Sequence, residues 1–500
     1  MIFQASFRNK ILYSHQRSTH NLTEPMAVRM VAASAGSLYF VSMRIPVLPR
    51  LFPLLAAALL TLPGCYSRED MKSDSGTASS TPAETTEKPA VEPADGTAVA
   101  PPPAAAVAGP LAAVNVFLEV SGSMEGFMPK PGADAQNTRF QQHVAQFLSD
   151  LNRSPAAQRK TFYRIKEKPY RDSYQQLETT VREGIREAAS STSIPTILDT
   201  LVSHYYQPNA VSILISDFIY APRNAGAVPY IKTDITDALN RAGRSDLAVS
   251  VYGYTSDFHG AFYPAMKTAA RKINSCCDTD IPYYFWVIGP ADAVQRFDIA
   301  LLERQPAQQA HFGVTYSQPA YSLLDKFQNK GAWYYGDQGA SKRTAGASYH
   351  TVAMQEVSVS QPVEFVVGLN MKALPALYRD VKYLKPNLQL QAQDTDAKVL
   401  DVFAATDDTR NSSGPQSQYT HFVKVRVTRV GRGARPVQLV LRDQRPAWVG
   451  QWTTKNDSNI NQVGAKTFAL SSLLDGVAGL YTNEEEKPVF TLPLTLQLAK

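Results

Sequence analysis

The sequence predicts an α/β domain built on an open, mostly parallel sheet with helices on both faces, followed by a β-rich, sandwich-like domain. Three observations predict it. Between residues 113 and 302, near-continuous apolar runs of strand length alternate with stretches whose apolar residues recur every three or four positions. That is the grammar of a parallel sheet covered by helices. Beyond about residue 350, apolar and polar residues alternate and clusters of Gly, Pro, Asn and Asp separate the runs, which describes an antiparallel sandwich. Five hundred residues also exceed what a single core fills, so more than one folding unit is expected.

Taken in order, residues 1–42 match no signal architecture and read as an upstream extension from a mis-assigned start. Residues 43–64 read as an export signal. Arg44 and Arg50 precede the uncharged run Leu51 to Leu62, which closes on Pro63, Gly64 and Cys65. Twelve apolar residues rise only about 18 Å as a helix, against a hydrocarbon core of about 30 Å, so cleavage is expected over a permanent span. Leu62-Pro63-Gly64-Cys65 resembles the bacterial lipobox, which implies a lipid on Cys65 and a membrane anchor. No aspartate follows Cys65 directly, a pattern similar to that of lipoproteins delivered to the outer membrane. Residues 65–112 are rich in Pro, Ala and Thr and cannot bury enough surface to offset their ordering entropy. They read as a disordered tether with a mean reach of about 35–40 Å.

Val114 to Leu118 is an apolar strand that runs into Glu119-Val120-Ser121-Gly122-Ser123, and Phe140, Val144, Phe147, Leu148 and Leu151 mark the buried stripe of a following helix. Phe162 to Ile165 predicts a strand, Tyr174 to Ala189 a helix and Ile194 to Tyr205 another, with Pro195 tolerable in its first turn. Ala210 to Ser216 is a second strong strand and ends in Asp217. A helix over Asp234 to Ala242, strands over Asp246 to Tyr254 and Ile281 to Ile288, and a helix over Ala291 to Leu302 complete the unit. In open α/β sheets, ligands sit at the carboxyl ends of the strands, where Glu119 to Ser123 and Asp217 would lie. Residues 303–350 read as a connector. Strands are expected in 351–500 at Val357 to Leu369, Leu388 to Ala392, Tyr419 to Thr428, Pro436 to Leu441 and Val489 to Leu498, with one helix at Ser471 to Tyr481.

Composition excludes several classes. With 44% apolar and 19% charged residues the chain is neither wholly disordered nor a polytopic membrane protein. Of its net charge of +6, +5 resides in the leader: residues 1–64 carry six basic groups and one acid, and the other 436 residues carry 44 and 43. No nucleic-acid partner is expected. Three cysteines make neither a disulfide framework nor a four-cysteine zinc site, and the adjacent Cys276 and Cys277 are expected as thiols.

The stretch VNVFLEVSGSM resembles the first strand and metal loop of von Willebrand factor A domains, whose fold is Rossmann-like. The family pattern is an aspartate followed by serines two and four residues on. Ser121 and Ser123 match, and Glu119 stands in place of the aspartate. Thr192, before a helix leucine Leu198, matches the family's threonine, and Asp217 its last aspartate. The resemblance covers about residues 114–302 and implies a metal-ion-dependent adhesion site: Glu119, Ser121, Ser123, Thr192 and Asp217 around Mg²⁺, or Mn²⁺ or Ca²⁺, with a protein partner offering an acidic side chain to the ion. Hard divalent cations take oxygen ligands at about 2.0–2.1 Å for Mg²⁺, which suits hydroxyls and carboxylates. Glutamate overshoots aspartate by about 1.5 Å, so either the loop has adjusted and holds a cation or the fold serves without one.

Three functional readings follow. The first is a lipid-anchored envelope protein that binds another protein, with or without the cation. The second is a structural envelope lipoprotein with a metal-free version of the fold. The third, a metal-dependent hydrolase using Asp217, Asp257 and His259, is disfavoured because no HExxH, GxSxG, GxxxxGK[ST] or strand-following GxGxxG occurs, and no enzyme is expected.

Overall fold

A computed structural model describes residues 109–498, except 133–136, 190–191, 222–224, 267–271, 303–306, 337–346 and 482–487. The export signal, Cys65 and the tether as far as residue 108 lie outside the described residues, and the expected end of the tether at 112 is corrected, because Leu111 and Ala112 already lie in the first strand. Among those described, no helix is long and apolar enough to cross a membrane.

The chain opens with β1 (Leu111–Glu119), buried along nearly its whole length. The Thr138 hydroxyl and the Gln141 side chain form a reciprocal capping box that starts α1 (Arg139–Arg153), and the predicted stripe from Phe140 to Leu151 is its buried face. Then come β2 (Ala157–Ile165), β3 (Pro169–Asp172) and α2 (Tyr174–Glu183), the last capped by Ser173 and Gln176. α2 was expected to reach Ala189 but stops at Gly184, which has φ of 86°. A Cβ there would lie 2.9 Å from the Met128 carbonyl oxygen, so only glycine makes this exit. α3 (Ile194–Thr200) leads through a π turn at Leu201–Tyr205 to β4 (Ala210–Ser216), followed by α4 (Ile231–Asn240) and β5 (Leu247–Ser256). A hairpin of β6 (Gly260–Phe262) and β7 (Ile273–Cys276) precedes β8 (Ile281–Pro290), α5 (Ala291–Leu301) and β9 (Gln308–Phe312).

These strands form a seven-stranded sheet in the order β3-β2-β1-β4-β8-β5-β9. Helices cover both faces. α1, α2 and α5 pack with Val114, Val116 and Leu118 on one side, while α3 and α4 pack with Phe117, Leu214 and Trp286 on the other. The expectation of a mostly parallel sheet is corrected. β1 is parallel to β2 and β4, but β3, β8 and β9 run against their neighbours, so the sheet is mixed. The reason lies between β5 and β8. Among the described residues only the short β6–β7 pair lies in the link, and a chain that returns without a crossover helix pairs antiparallel. A continuous apolar run reports burial on both faces, not direction.

The remainder comprises β10 (Ala320–Leu324), β11 (Trp333–Tyr335), β12 (Thr351–Met354), β13 (Val363–Asn370), α6 (Ala376–Arg379), α7 (Val381–Asn387), β14 (Leu388–Ala392), β15 (Thr395–Ala404) and α8 (Asp407–Arg410). It continues with β16 (His421–Val430), β17 (Ala434–Leu441), α9 (Ala447–Gln451), β18 (Thr453–Thr454), α10 (Ile460–Val463), β19 (Thr467–Phe468), α11 (Leu470–Ala478) and β20 (Phe490–Leu498). A four-stranded sheet, β10-β13-β16-β15, and a five-stranded sheet, β11-β12-β20-β17-β14, share one core around Phe365, Val425, Leu439 and Leu494. The β-rich part is therefore two-layered, but the expected all-antiparallel pairing is corrected: β12 and β20 run parallel, and every other pair in these two sheets is antiparallel.

Its boundaries differ from those expected. The connector over 303–350 holds β9, which belongs to the first sheet, and β10 and β11, which belong to the sandwich. Residues 447–481 leave the sandwich and return to the first body: Leu470, Leu473 and Val477 of α11 pack into the core shared by α3 and α4, and Ile460 enters the opposite core. Apolar residues alone do not announce which of two cores they fill. Cys276 and Cys277 are joined in a disulfide, in place of the expected thiols.

Candidate functional site

The parallel register of β1 with β4 pairs Leu118 with Ile215, so Glu119 and Ser216 leave the sheet side by side. Both are buried, at 2% and 0% exposure. The Ser216 hydroxyl donates to Glu119 Oε2, and the Thr192 hydroxyl donates to Glu119 Oε1. The extra methylene of glutamate thus carries its carboxylate between two hydroxyls from neighbouring loops.

The backbone ties those loops together. Ala189 N donates to Val120 O (2.8 Å), Gly122 N donates to Ala189 O (3.1 Å), and Ser121 pairs with Ala189 as a parallel bridge. This places Thr192 beside the serine loop. The loop then closes into a 3-10 turn over Gly122–Gly126, in which Met124 N donates to Ser121 O. At the head of that turn Ser121 makes no capping bond to the backbone. Its hydroxyl instead lies 2.9 Å from that of Ser123.

Asp217 follows β4 and is 1% exposed. Its Oδ1 accepts from Ile219 N at 3.0 Å, while its Oδ2 is buried with no hydrogen-bond partner among the described residues. The Ser123 hydroxyl comes near enough to favour the ionised form, without the geometry of a hydrogen bond to Oδ2. Burial, then the charge of Glu119, with a smaller push from Asp457, nevertheless raise the Asp217 carboxyl to about 7. A buried carboxylate oxygen left unpaired beside a second carboxylate is costly in isolation. A cation placed there would remove that cost.

All five residues singled out from the sequence are thus in one place, at the ends of β1 and β4 and on the two loops beside them. Two neighbours were missed. Ser216 read simply as the last residue of a strand, although its position before Asp217 was visible. Asp457 lies 240 residues beyond Asp217, and nothing in the sequence links the two. Its carboxylate accepts from Ala265 N (2.6 Å) and Met266 N (3.1 Å).

The donor set is oxygen throughout: two carboxylates and three hydroxyls. It suits a hard divalent cation rather than zinc, and among the described residues no group of three or more His, Cys, Asp and Glu is placed to hold a metal ion. Asp257 and His259 belong to a different group. His259 Nε2 lies 3.2 Å from Asp257 Oδ2, and Asp257 Oδ1 accepts from the Arg139 backbone N–H at 2.9 Å, at the start of α1. Burial raises the Asp257 carboxyl, but Arg139, Ser256 and His259 together hold it below the usual range. The groups that act on Asp217 are Glu119, Ser123, Ile219 and Asp457, and His259 is not among them.

Compared with known proteins, the chain matches no family model, no curated sequence and no solved structure.

Proposed function

We propose that this chain is a lipid-anchored envelope protein, held at the outer membrane through Cys65, whose first body is a von Willebrand factor A-like domain that binds another protein through a divalent cation. The observation that carries the reading is Asp217 Oδ2, a buried carboxylate oxygen with no hydrogen-bond partner among the described residues, on a side chain close enough to Glu119 and Ser123 to feel both. Ser121, Ser123 and Asp217 would hold the ion. Glu119 fixes Thr192 and Ser216 and contributes charge. When bound, Mg²⁺ or Mn²⁺ supplies a Lewis-acidic position that an acidic side chain of the partner can fill. The site's own residues do the rest: they hold the loops in register and exclude water from the inner carboxylates.

One observation favours the rival reading of a metal-free structural lipoprotein. Both Glu119 oxygens already accept hydroxyls, so the carboxylate is satisfied without an ion. The two readings separate on the full chain in detergent. At about 100 times Kd, a cation bound only by the folded state adds about 2.7 kcal/mol of stability. A rise in Tm with millimolar Mg²⁺ or Mn²⁺ that disappears in Ser123→Ala supports the first reading. No rise leaves the structural one.

A further inference from the structure

Asp457 reaches the strand ends from the segment that returns from the sandwich, anchored there by Ile460 in the core and by Thr467, whose hydroxyl lies 2.8 Å from that of Tyr284. Its carboxylate is 1% exposed, and both oxygens accept backbone N–H groups, from Ala265 and Met266. Those two bonds close the turn that follows β6. Tyr263 in that turn lays its ring edge 3.6 Å from where a Cβ on Gly122 would stand, directly between the two site serines. At 37% exposure the ring forms part of the rim that a ligand would meet. β6 itself abuts the same loop, since a Cβ on Gly260 would lie 3.3 Å from Gly126 Cα.

Given the cation site proposed above, we infer that Asp457 is its positioning residue: it clamps the 263–266 turn against Ser121-Gly122-Ser123 and adds negative charge, so that the C-terminal segment completes a site for a divalent cation. Both effects act in one direction. The clamp preorganises the oxygen donors, and the charge attracts the ion. Partners that orient such donors from behind are commonly worth about 10–100-fold in metal affinity.

The test is titration of the full chain with Mn²⁺, following the free ion by electron paramagnetic resonance. Asp457→Asn is expected to weaken Mn²⁺ binding by about tenfold or more. Asn461→Ala serves as the control. It lies on the same segment but accepts from Asp278 N instead of from the turn, and it should stay within about twofold of wild type. Asp457→Glu retains the charge while displacing the acceptors, so it should fall between wild type and Asp457→Asn; it also serves if Asp457→Asn does not fold. Wild-type binding that both Asp457 variants match overturns this inference alone, as does an equal loss in Asn461→Ala. No Mn²⁺ binding by wild type overturns the cation reading, and this inference with it.

Discussion

Replacing Asp217 by Asn is expected to stabilise the metal-free protein and to abolish its response to metal. Asp217 ionises at about 7 instead of 3.8 because burial and Glu119 disfavour its charge. As pH rises from 3.8 towards 7 the native state keeps a proton that the unfolded chain has released, so stability falls across that window and the full cost is present above it. At about 1.36 kcal/mol per pH unit the cost is on the order of 4 kcal/mol, an upper bound because Glu119 shares it. Asn keeps the acceptor for Ile219 N and carries no charge. Urea unfolding of the metal-free chain should therefore show Asp217→Asn more stable than wild type by about 1–3 kcal/mol near pH 8, with the gap closing towards pH 4. With excess Mg²⁺ the order should reverse or close, since only wild type gains about 2.7 kcal/mol at roughly 100 times Kd. A variant that is less stable than wild type near pH 8 without metal would refute the reasoning, because Oδ2 would then have a protein partner whose loss costs more than the charge.

Four further outcomes are expected. Ser121→Ala with Ser123→Ala removes one hydroxyl pair, so thermal unfolding should show a loss of only about 1 kcal/mol without metal and no stabilisation by Mn²⁺. Glu119→Ala strands two hydroxyls and opens a gap at the end of β1, and chemical denaturation should show a loss of about 2–4 kcal/mol. The His143 imidazole, stacked on Phe285 and 2.7 Å from the Tyr283 hydroxyl, is lowered by burial from 6.5 to about 4. The unfolded chain takes up that proton first, so stability should fall as pH drops from 6.5 towards 4, by about 1–3 kcal/mol. His143→Gln should flatten that part of the profile in pH-dependent urea titrations. Gly126→Ala would drive a Cβ into the ring of the buried Phe258, and a loss of at least about 1–3 kcal/mol in Tm analysis is expected, since a closely packed core has no room to yield.

Much of the fold was legible because local rules and tertiary outcome agreed. The stripe from Phe140 to Leu151 is the buried face of α1, and the run Ala210 to Ser216 is β4, as periodicity and apolarity predicted. β15 was missed because only Val402 is fully buried and a register shift between Val399 and Asp401 breaks the two-residue alternation begun by Ala397 and Val399. The direction of β8 was missed although its cause was readable: among the described residues no helix separates Ser256 from Ile281, and a parallel return needs one. For the site, a hydroxyl pair spaced by one residue and an acid at a strand end are local patterns, and they were found.

The amino-acid sequence by itself determined where most strands and helices form and that two sheet systems exist, because these follow from patterns within a few turns of chain; that Glu119, Ser121, Ser123, Thr192 and Asp217 belong together was implied by the family resemblance. Only the tertiary structure decided that both Glu119 oxygens are taken by Thr192 and Ser216, that Asp217 Oδ2 is buried with no hydrogen-bond partner among the described residues, and that Asp457 arrives from 240 residues away to hold the turn beside them. The physical reason is range. Periodicity and capping act over a handful of residues, whereas desolvation and charge depend on which distant segments are packed against one another.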